Sequence, residues 1–152
     1  MVGITLVSRE TGEVLQVGPV RIRVLEDGSR TDNRIGAVEV TVPARTAPTP
    51  PHVHRMHDET FLVTSGVVHF TVGDANQAAR AGDYVVVPVG APHSFANATD
   101  ETAVFFNSFT PAYYVNYFRD LAKLSAAGGL SRDRILQVMT RYATEPAEPA
   151  GP

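Results

Sequence analysis

Short apolar runs separated by turn residues make up the chain from residue 4 to about residue 110. Pairs such as Asp27-Gly28 and Ser65-Gly66 lie between the runs, where hairpins reverse direction. The spacing of the runs predicts an all-β body, built as an antiparallel β-sandwich or barrel. The runs rich in β-branched and aromatic residues, which we predict to be strands, are residues 20–25, 37–42, 59–64, 67–72, 84–89 and 102–109.

The hydrophobic period changes after the last predicted strand. Apolar residues at 114–124 recur on one helical stripe, and Gly128-Gly129 then ends the helix. Ser131 is a suitable N-cap for a second helix, because residues 135–142 repeat the helical spacing. A C-terminal helical hairpin therefore follows the β-body.

The length of 152 residues allows one domain. We expect residues 1–143 to form it, with the barrel at about 4–110 and the helices at about 111–143. Residues 144–152 contain three prolines and no large apolar side chain, so we expect a disordered tail. The apolar content of 43% excludes disorder for the chain as a whole.

Charge and cysteine content narrow the possible partners. The net charge is −3 and the basic residues are scattered, so we expect neither a nucleic-acid nor a membrane partner. No secretory leader or long apolar run is visible, which predicts a soluble, cytoplasmic protein. Because the chain has no cysteine, any metal must be held by histidine and carboxylate side chains.

Three histidines and a glutamate occupy inward-facing strand positions. His52 and His54 are two residues apart, so both imidazoles point to the same face of a strand. Glu59 begins a strand whose inward positions are apolar, where a carboxylate is costly unless a cation neutralises it. His93 shares the parity of the inward Phe95 on a distant strand. This arrangement predicts a metal site.

The same residues resemble the two sequence motifs of the cupin superfamily. The intervals of the first motif are matched by His52, His54, Glu59 and Gly66. The intervals of the second motif are matched by Gly82, Pro88, Gly90, His93 and Asn97. One position departs from the pattern, since Thr46 replaces the glycine that opens the first motif.

The resemblance implies a jelly-roll fold with one divalent transition metal ion per chain, held by His52, His54, Glu59 and His93. The sequence does not encode which ion is bound, because three imidazoles and one carboxylate accept Fe, Mn, Ni, Co, Cu or Zn. Four protein ligands leave coordination positions open, as catalysis requires.

Apolar and aromatic residues surround the predicted metal site. A pocket of this kind suits a small aromatic substrate better than a sugar phosphate, which needs inward arginine or lysine. His57 could line the pocket mouth, replace a ligand or be solvated, and we favour a position at the rim. The other residues predicted to line the pocket are Phe61, Val63, Phe95, Phe106 (with Phe105 as the alternative), Phe109 and Tyr113.

Residues beyond the two motifs are similar to small bacterial cupins related to quercetin 2,3-dioxygenases, on the basis of Phe109-Thr110-Pro111, Tyr117-Phe118-Arg119 and Arg141-Tyr142. This resemblance implies a dioxygenase that cleaves a flavonol-like or other aromatic polyphenol with O2, with Glu59 as the catalytic base. A redox-neutral cyclase, decarboxylase or isomerase acting on an aromatic polyketide-like compound is one alternative. A non-enzymatic small-molecule-binding cupin is another.

Apolar residues near the N-terminus suggest self-association. Residues 4–6 and 14–17 carry apolar side chains that a single small β-sandwich leaves uncovered, and such a sandwich also has free edge strands. We therefore expect a homodimer.

Overall fold

The computed structural model describes residues 3–72 and 75–147, which form an all-β body followed by helices. The strands predicted from the apolar runs are confirmed, with ends that differ from the prediction by at most two residues. The strands are β1 (Val14–Val17), β2 (Val20–Asp27), β3 (Gly36–Val42), β4 (His52–His54), β5 (Asp58–Ser65), β6 (Val67–Val72), β7 (Ala75–Arg80), β8 (Tyr84–Val87), β9 (Ser94–Ala96), β10 (Ala103–Thr110) and β11 (Thr144–Pro146). A 3-10 turn (Ala112–Tyr114) leads into α1 (Val115–Ala126), and α2 (Arg132–Arg141) follows.

The strands form antiparallel sheets that pack face to face. The larger sheet has the order β1-β2-β3-β10-β5-β8, and a smaller one has the order β7-β6-β9. Phe61 of β5 packs against Phe70 of β6 with 4.9 Å between ring centroids, and Phe95 of β9 packs against Phe105 of β10 at 5.3 Å. The predicted antiparallel β-sandwich with a C-terminal helical hairpin is therefore confirmed.

Strand β10 shows how the sequence pattern selects the buried face. Alternate residues of this strand are buried, as the period of two in a strand requires. Phe105 and Phe109 belong to this buried set and extend the apolar core. Asn107 lies between them and is also buried, so β10 directs one amide group into an otherwise apolar interior.

The two helices cover one side of the sandwich. Helix α1 packs beside β1 and buries Tyr117 and Leu121. Helix α2 begins at Ser131, whose side chain accepts a hydrogen bond from the Arg134 backbone N–H, so the predicted N-cap is confirmed. Its buried face includes Met139. Neither helix in the described part of the chain has the length and apolarity needed to cross a membrane.

The prediction of a disordered tail is wrong for its first residues. Thr144–Pro146 form β11, which pairs with β4 and places Thr144 opposite His54. The pairing continues at Ala147, whose N–H donates to the Pro51 carbonyl at 2.9 Å. These bonds give β4 a partner strand and satisfy backbone groups on both segments. Residues 148–152 of the predicted tail lie outside the described residues.

Candidate metal centre and cavity

The four predicted ligands meet in the interior of the sandwich. Strand β4 presents His52 and His54, β5 contributes Glu59 near its start, and His93 lies just before β9. His52 and His93 exchange two backbone hydrogen bonds of 3.0 Å, which join these distant segments directly. One ligand atom from each of the four residues lies within 4.8 Å of the others.

The spacing between the side chains fits a shared ion. Glu59 Oε2 lies 2.9 Å from Nε2 of His54 and 3.1 Å from Nε2 of His93. Ligands bound about 2.1 Å from one ion lie about 3 Å from their neighbours. The geometry of this pair of contacts is therefore compatible with coordination of one cation.

Backbone carbonyls orient two of the imidazole rings. His52 Nδ1 lies 2.9 Å from the Pro50 carbonyl, and His93 Nδ1 lies 3.1 Å from the Ala91 carbonyl. A carbonyl can only accept, so each Nδ1 carries a hydrogen and Nε2 is the ring nitrogen that would bind a metal. Nitrogen-rich donors of this kind suit transition ions rather than Ca²⁺ or Mg²⁺. The residues present therefore fit a divalent transition metal.

Glu59 is a buried anion. Only 4% of the residue is exposed, and its Oε1 accepts a hydrogen bond from Asn107 Nδ2 at 3.0 Å. Burial acts to raise the pKa of Glu59, but hydrogen bonds and charges from His54 and His93 outweigh it and hold this pKa well below its ordinary value. A carboxylate that stays ionised in the interior requires a cationic partner.

His52 stays neutral beside this anion. Burial, together with the neighbouring His93 and His54, lowers the pKa of His52 to about 3. An imidazole must be uncharged to donate its lone pair to a metal. The low pKa of His52 therefore keeps it in the ligating form at neutral pH.

A cavity of about 300 Å³ leads to this cluster, where it is lined by His52, Glu59 and His93. Loop residues 46–50 form one side of the cavity. No arginine or lysine among the described residues lines it. Its apolar walls come from both sheets and both helices and include Phe95, Phe105, Tyr117, Phe118, Leu121 and Met139.

Several predicted pocket residues lie elsewhere. Phe95 does line the cavity, whereas Phe61 and Val63 are buried between the sheets and do not reach it. The choice of Phe106 is wrong and its alternative Phe105 is right, because the alternation of β10 turns Phe105 inward and Phe106 toward the opposite face. A register shift in the β10–β5 pairing adjoins this position.

Phe109 and Tyr113, which were also predicted to line the pocket, lie outside the cavity. Phe109 is fully buried and packs against Tyr114 and Phe118, so its ring fills the core rather than the cavity. Tyr113 lies outside the cavity and donates a hydrogen bond to the Tyr142 carbonyl at 3.3 Å. Both residues therefore anchor the helical hairpin.

The predicted rim position of His57 is wrong. Its ring is 1% exposed and lies 4.0 Å from the His54 ring and 4.3 Å from the Tyr114 ring, measured between centroids. The Nε2 atom has no hydrogen-bond partner among the described residues. Burial and the nearby His54 lower the pKa of His57 to about 4, so it is a neutral packing group at neutral pH.

Sequence reasoning missed several residues at the site. Asn107 had a usable signal, since it shares the inward parity of Phe105 and Phe109. The sequence places Tyr114 only on a helical stripe and Tyr117 only in the resemblance to small bacterial cupins, although both line the cavity. Thr144 had no signal, because its position depends on the pairing of β11 with β4.

Residues 38–109 match the family model described as a cupin domain. This range contains the four clustered side chains and the strands that carry them. Residues 38–109 form a cupin domain. An uncharacterized protein of Aquifex aeolicus is 35% identical over 63 residues, which are 41% of this chain and 51% of that protein. The match therefore spans about half the length of this curated relative.

Solved structures support the cupin fold. The polyketide cyclase RemF from Streptomyces resistomycificus superposes with a TM-score of 0.63 and 19% identity, covering 80% of this chain and 99% of that one. A sugar phosphate isomerase of the cupin superfamily from Silicibacter pomeroyi superposes with a TM-score of 0.55 and 24% identity, covering 62% of this chain and 60% of that one. These likenesses show a fold that is shared with enzymes of different activity.

Two motif residues have structural roles in the cupin domain. Gly66 adopts φ of 71°, and a Cβ there would lie 2.7 Å from the Thr102 carbonyl oxygen, so the β5–β6 turn requires glycine. Asn97 is fully buried, and its Nδ2 donates to the carbonyls of Val42 and Pro43 at 3.1 Å. Gly66 therefore fixes the β5–β6 turn, and Asn97 ties the segment after β9 to the end of β3.

Proposed function

We propose that this protein is a metal-dependent enzyme that acts on a small aromatic compound. One divalent transition metal ion would be held by His52, His54, Glu59 and His93. The observation that carries the proposal is the apolar cavity of about 300 Å³ that leads to these side chains. A structural metal site is usually closed, whereas this one lies beside a space that a substrate can occupy.

The cavity wall indicates the substrate class. Aromatic side chains such as Phe95, Phe105 and Tyr117 offer flat surfaces on which a planar ring can pack. The absence of arginine and lysine among the described lining residues disfavours a phosphorylated sugar, whose charge would be left unpaired. An uncharged aromatic polyphenol with hydroxyl or carbonyl groups directed toward the cluster fits this environment best.

Among the possible reactions, we favour dioxygenase chemistry, in which the aromatic ring opens and both atoms of O2 enter the product. A transition ion held at the cluster would polarise and acidify a bound substrate oxygen and, if redox-active, permit reaction with O2. Glu59 would accept the proton of that substrate hydroxyl. Asn107 fixes the orientation of the Glu59 carboxylate through its hydrogen bond to Oε1.

A redox-neutral cyclase is the second candidate. The superposition with the polyketide cyclase covers 80% of this chain and nearly all of the other structure. The apolar cavity can also hold a folded polyketide-like chain with its carbonyl groups facing the cluster. In that reaction no O2 is consumed, which separates the two candidates experimentally.

The reaction class is tested with apoprotein reloaded separately with Fe²⁺, Mn²⁺, Co²⁺, Ni²⁺ or Zn²⁺. Each form is incubated with a panel of aromatic polyphenols, with and without air, while O2 consumption and product formation are measured. We expect O2-dependent turnover with a redox-active ion and none with Zn²⁺. Equal turnover without O2 would favour the cyclase, and saturable binding without turnover under every metal would contradict an enzymatic role.

We also propose that two copies of the chain form a homodimer. Ile4 and Leu6 are almost fully exposed, and Tyr84 and Val86 are exposed on β8, at the edge of the larger sheet. A second copy covering these apolar side chains would remove them from water. Light scattering at micromolar concentration should give twice the chain mass of 16.4 kDa. A monomer under these conditions would contradict the proposal.

A further inference from the structure

We infer that Thr144, in the C-terminal strand β11, is a positioning residue for the metal ligand His54. Thr144 is fully buried, and its Oγ1 lies 3.1 Å from His54 Nδ1. The strand pairing places the two residues directly opposite each other. The inference rests on the metal-binding part of the proposed function and is independent of the reaction catalysed.

The hydroxyl hydrogen of Thr144 has its own acceptor. Thr144 Oγ1 donates to the Tyr142 carbonyl at 3.1 Å, which leaves its lone pairs free to accept from His54 Nδ1–H. With the hydrogen on Nδ1, Nε2 of His54 is the nitrogen that would bind the ion, and it lies 2.9 Å from Glu59 Oε2. Thr144 therefore sets both the tautomer and the orientation of the His54 ring.

His54 differs from the other two imidazole ligands in the kind of group that contacts its Nδ1. Backbone carbonyls of Pro50 and Ala91 hold Nδ1 of His52 and His93, and these groups persist whatever side chain is present. His54 depends on a side-chain hydroxyl, which a substitution can remove. The effect of such a substitution should therefore be confined to one ligand of the cluster.

Strand β11 is held in place without help from the Thr144 hydroxyl. The Arg55 N–H donates to the Ala143 carbonyl at 2.9 Å, and the Ala147 N–H donates to the Pro51 carbonyl at 2.9 Å. Arg55 also forms an exposed ion pair with Glu145 at 2.9 Å. Because backbone bonds on both sides of Thr144 fix the strand, removal of the hydroxyl should leave the β4–β11 pairing intact.

The test compares zinc affinity among matched variants, measured by competition with a chelating indicator. Thr144→Val keeps the volume of the side chain but removes the hydroxyl, and we expect zinc affinity to fall about 10- to 100-fold, as is usual for the loss of an outer-shell partner. Thr144→Ser restores the hydroxyl and should recover most of the affinity. Thr71→Val is the control, because the Thr71 hydroxyl donates to Asn76 and contacts no proposed ligand.

A spectroscopic measurement separates positioning from a general structural effect. In zinc-loaded protein with ¹⁵N-labelled histidine, the Nδ1–H groups of His52, His54 and His93 should each give a slowly exchanging proton signal. Thr144→Val should broaden or remove the His54 signal and leave the other two unchanged. A loss of all three signals would indicate a disrupted site and would contradict a role specific to His54.

The outcomes distinguish this inference from the proposed function. Equal zinc affinity in wild type and Thr144→Val, with the His54 signal retained, would overturn the inference alone. Failure of the wild-type protein to bind any of the transition ions would overturn the proposed function and the inference with it. If Thr144→Val does not fold, the spectrum of the zinc-loaded wild-type protein still tests the inference. Coordination of zinc through His54 Nδ1 would exclude the proposed role of Thr144.

Discussion

Replacement of Glu59 by glutamine is expected to lower turnover about 10²- to 10⁴-fold, the usual contribution of a general base, while most of the bound metal is retained. Glutamine keeps the shape of the side chain and one possible oxygen ligand but loses the negative charge and the basicity. His52, His54 and His93 can still hold an ion, as sites with three histidines do. The measurement is kcat for each variant together with metal content per chain.

Glu39→Gln is the matched control for this substitution. Glu39 lies on β3, on the face turned away from the core, and its carboxylate pairs with Arg23 at 3.1 Å. We expect unchanged turnover. If the activity of Glu59→Gln instead falls in proportion to its metal content, Glu59 acts as a metal ligand and not as the general base. Full turnover with full metal would exclude proton abstraction by Glu59 and favour the cyclase reaction.

Replacement of His93 by alanine should have the largest effect on metal binding. The substitution removes one of the three proposed nitrogen ligands, an imidazole whose Nε2 lies 3.1 Å from Glu59 Oε2. We expect affinity for a divalent transition ion to fall by more than about 100-fold, beyond the cost of losing an outer-shell group, and turnover to fall to background. Equilibrium dialysis with Zn²⁺ or Co²⁺ measures the binding.

His69→Ala controls for the general effect of removing a histidine. His69 lies on β6, and its Nδ1 accepts a long hydrogen bond of 3.4 Å from the Ala98 N–H, away from the cluster. Metal affinity in this variant should equal that of wild type. Tight binding by a folded His93→Ala variant would contradict the proposed ligand set, and thermal unfolding of both apoproteins shows whether either variant is folded.

Local sequence patterns predict most of the fold and the composition of the cluster. His52 and His54 point the same way because β4 has the two-residue period of a strand, and the short interval to Glu59 places the next strand nearby. The buried alternation of β10 follows from the same rule. In each case one strand decides the direction of its own side chains, so the sequence alone suffices.

Local sequence patterns do not predict the position of a residue that depends on a bend in the chain or on pairing with a distant strand. The two-residue period of a strand cannot place His57, because residues 55–57 lie between β4 and β5 and the chain turns there. Thr144 reaches the site only because β11 pairs with a strand 90 residues earlier in the chain. Glu145 and Pro146, which follow Thr144 in β11, carry no apolar pattern that indicates a strand.

The central claim is that His52, His54, Glu59 and His93 bind one ion at the end of the apolar cavity. Its most direct test is an anomalous diffraction map from crystals of the metal-loaded protein. We expect one peak per chain, about 2.0–2.3 Å from Nε2 of the three histidines and from a Glu59 carboxylate oxygen. A peak coordinated by His57 with Glu59 turned away, or no peak at the cluster in metal-saturated crystals, would contradict the claim.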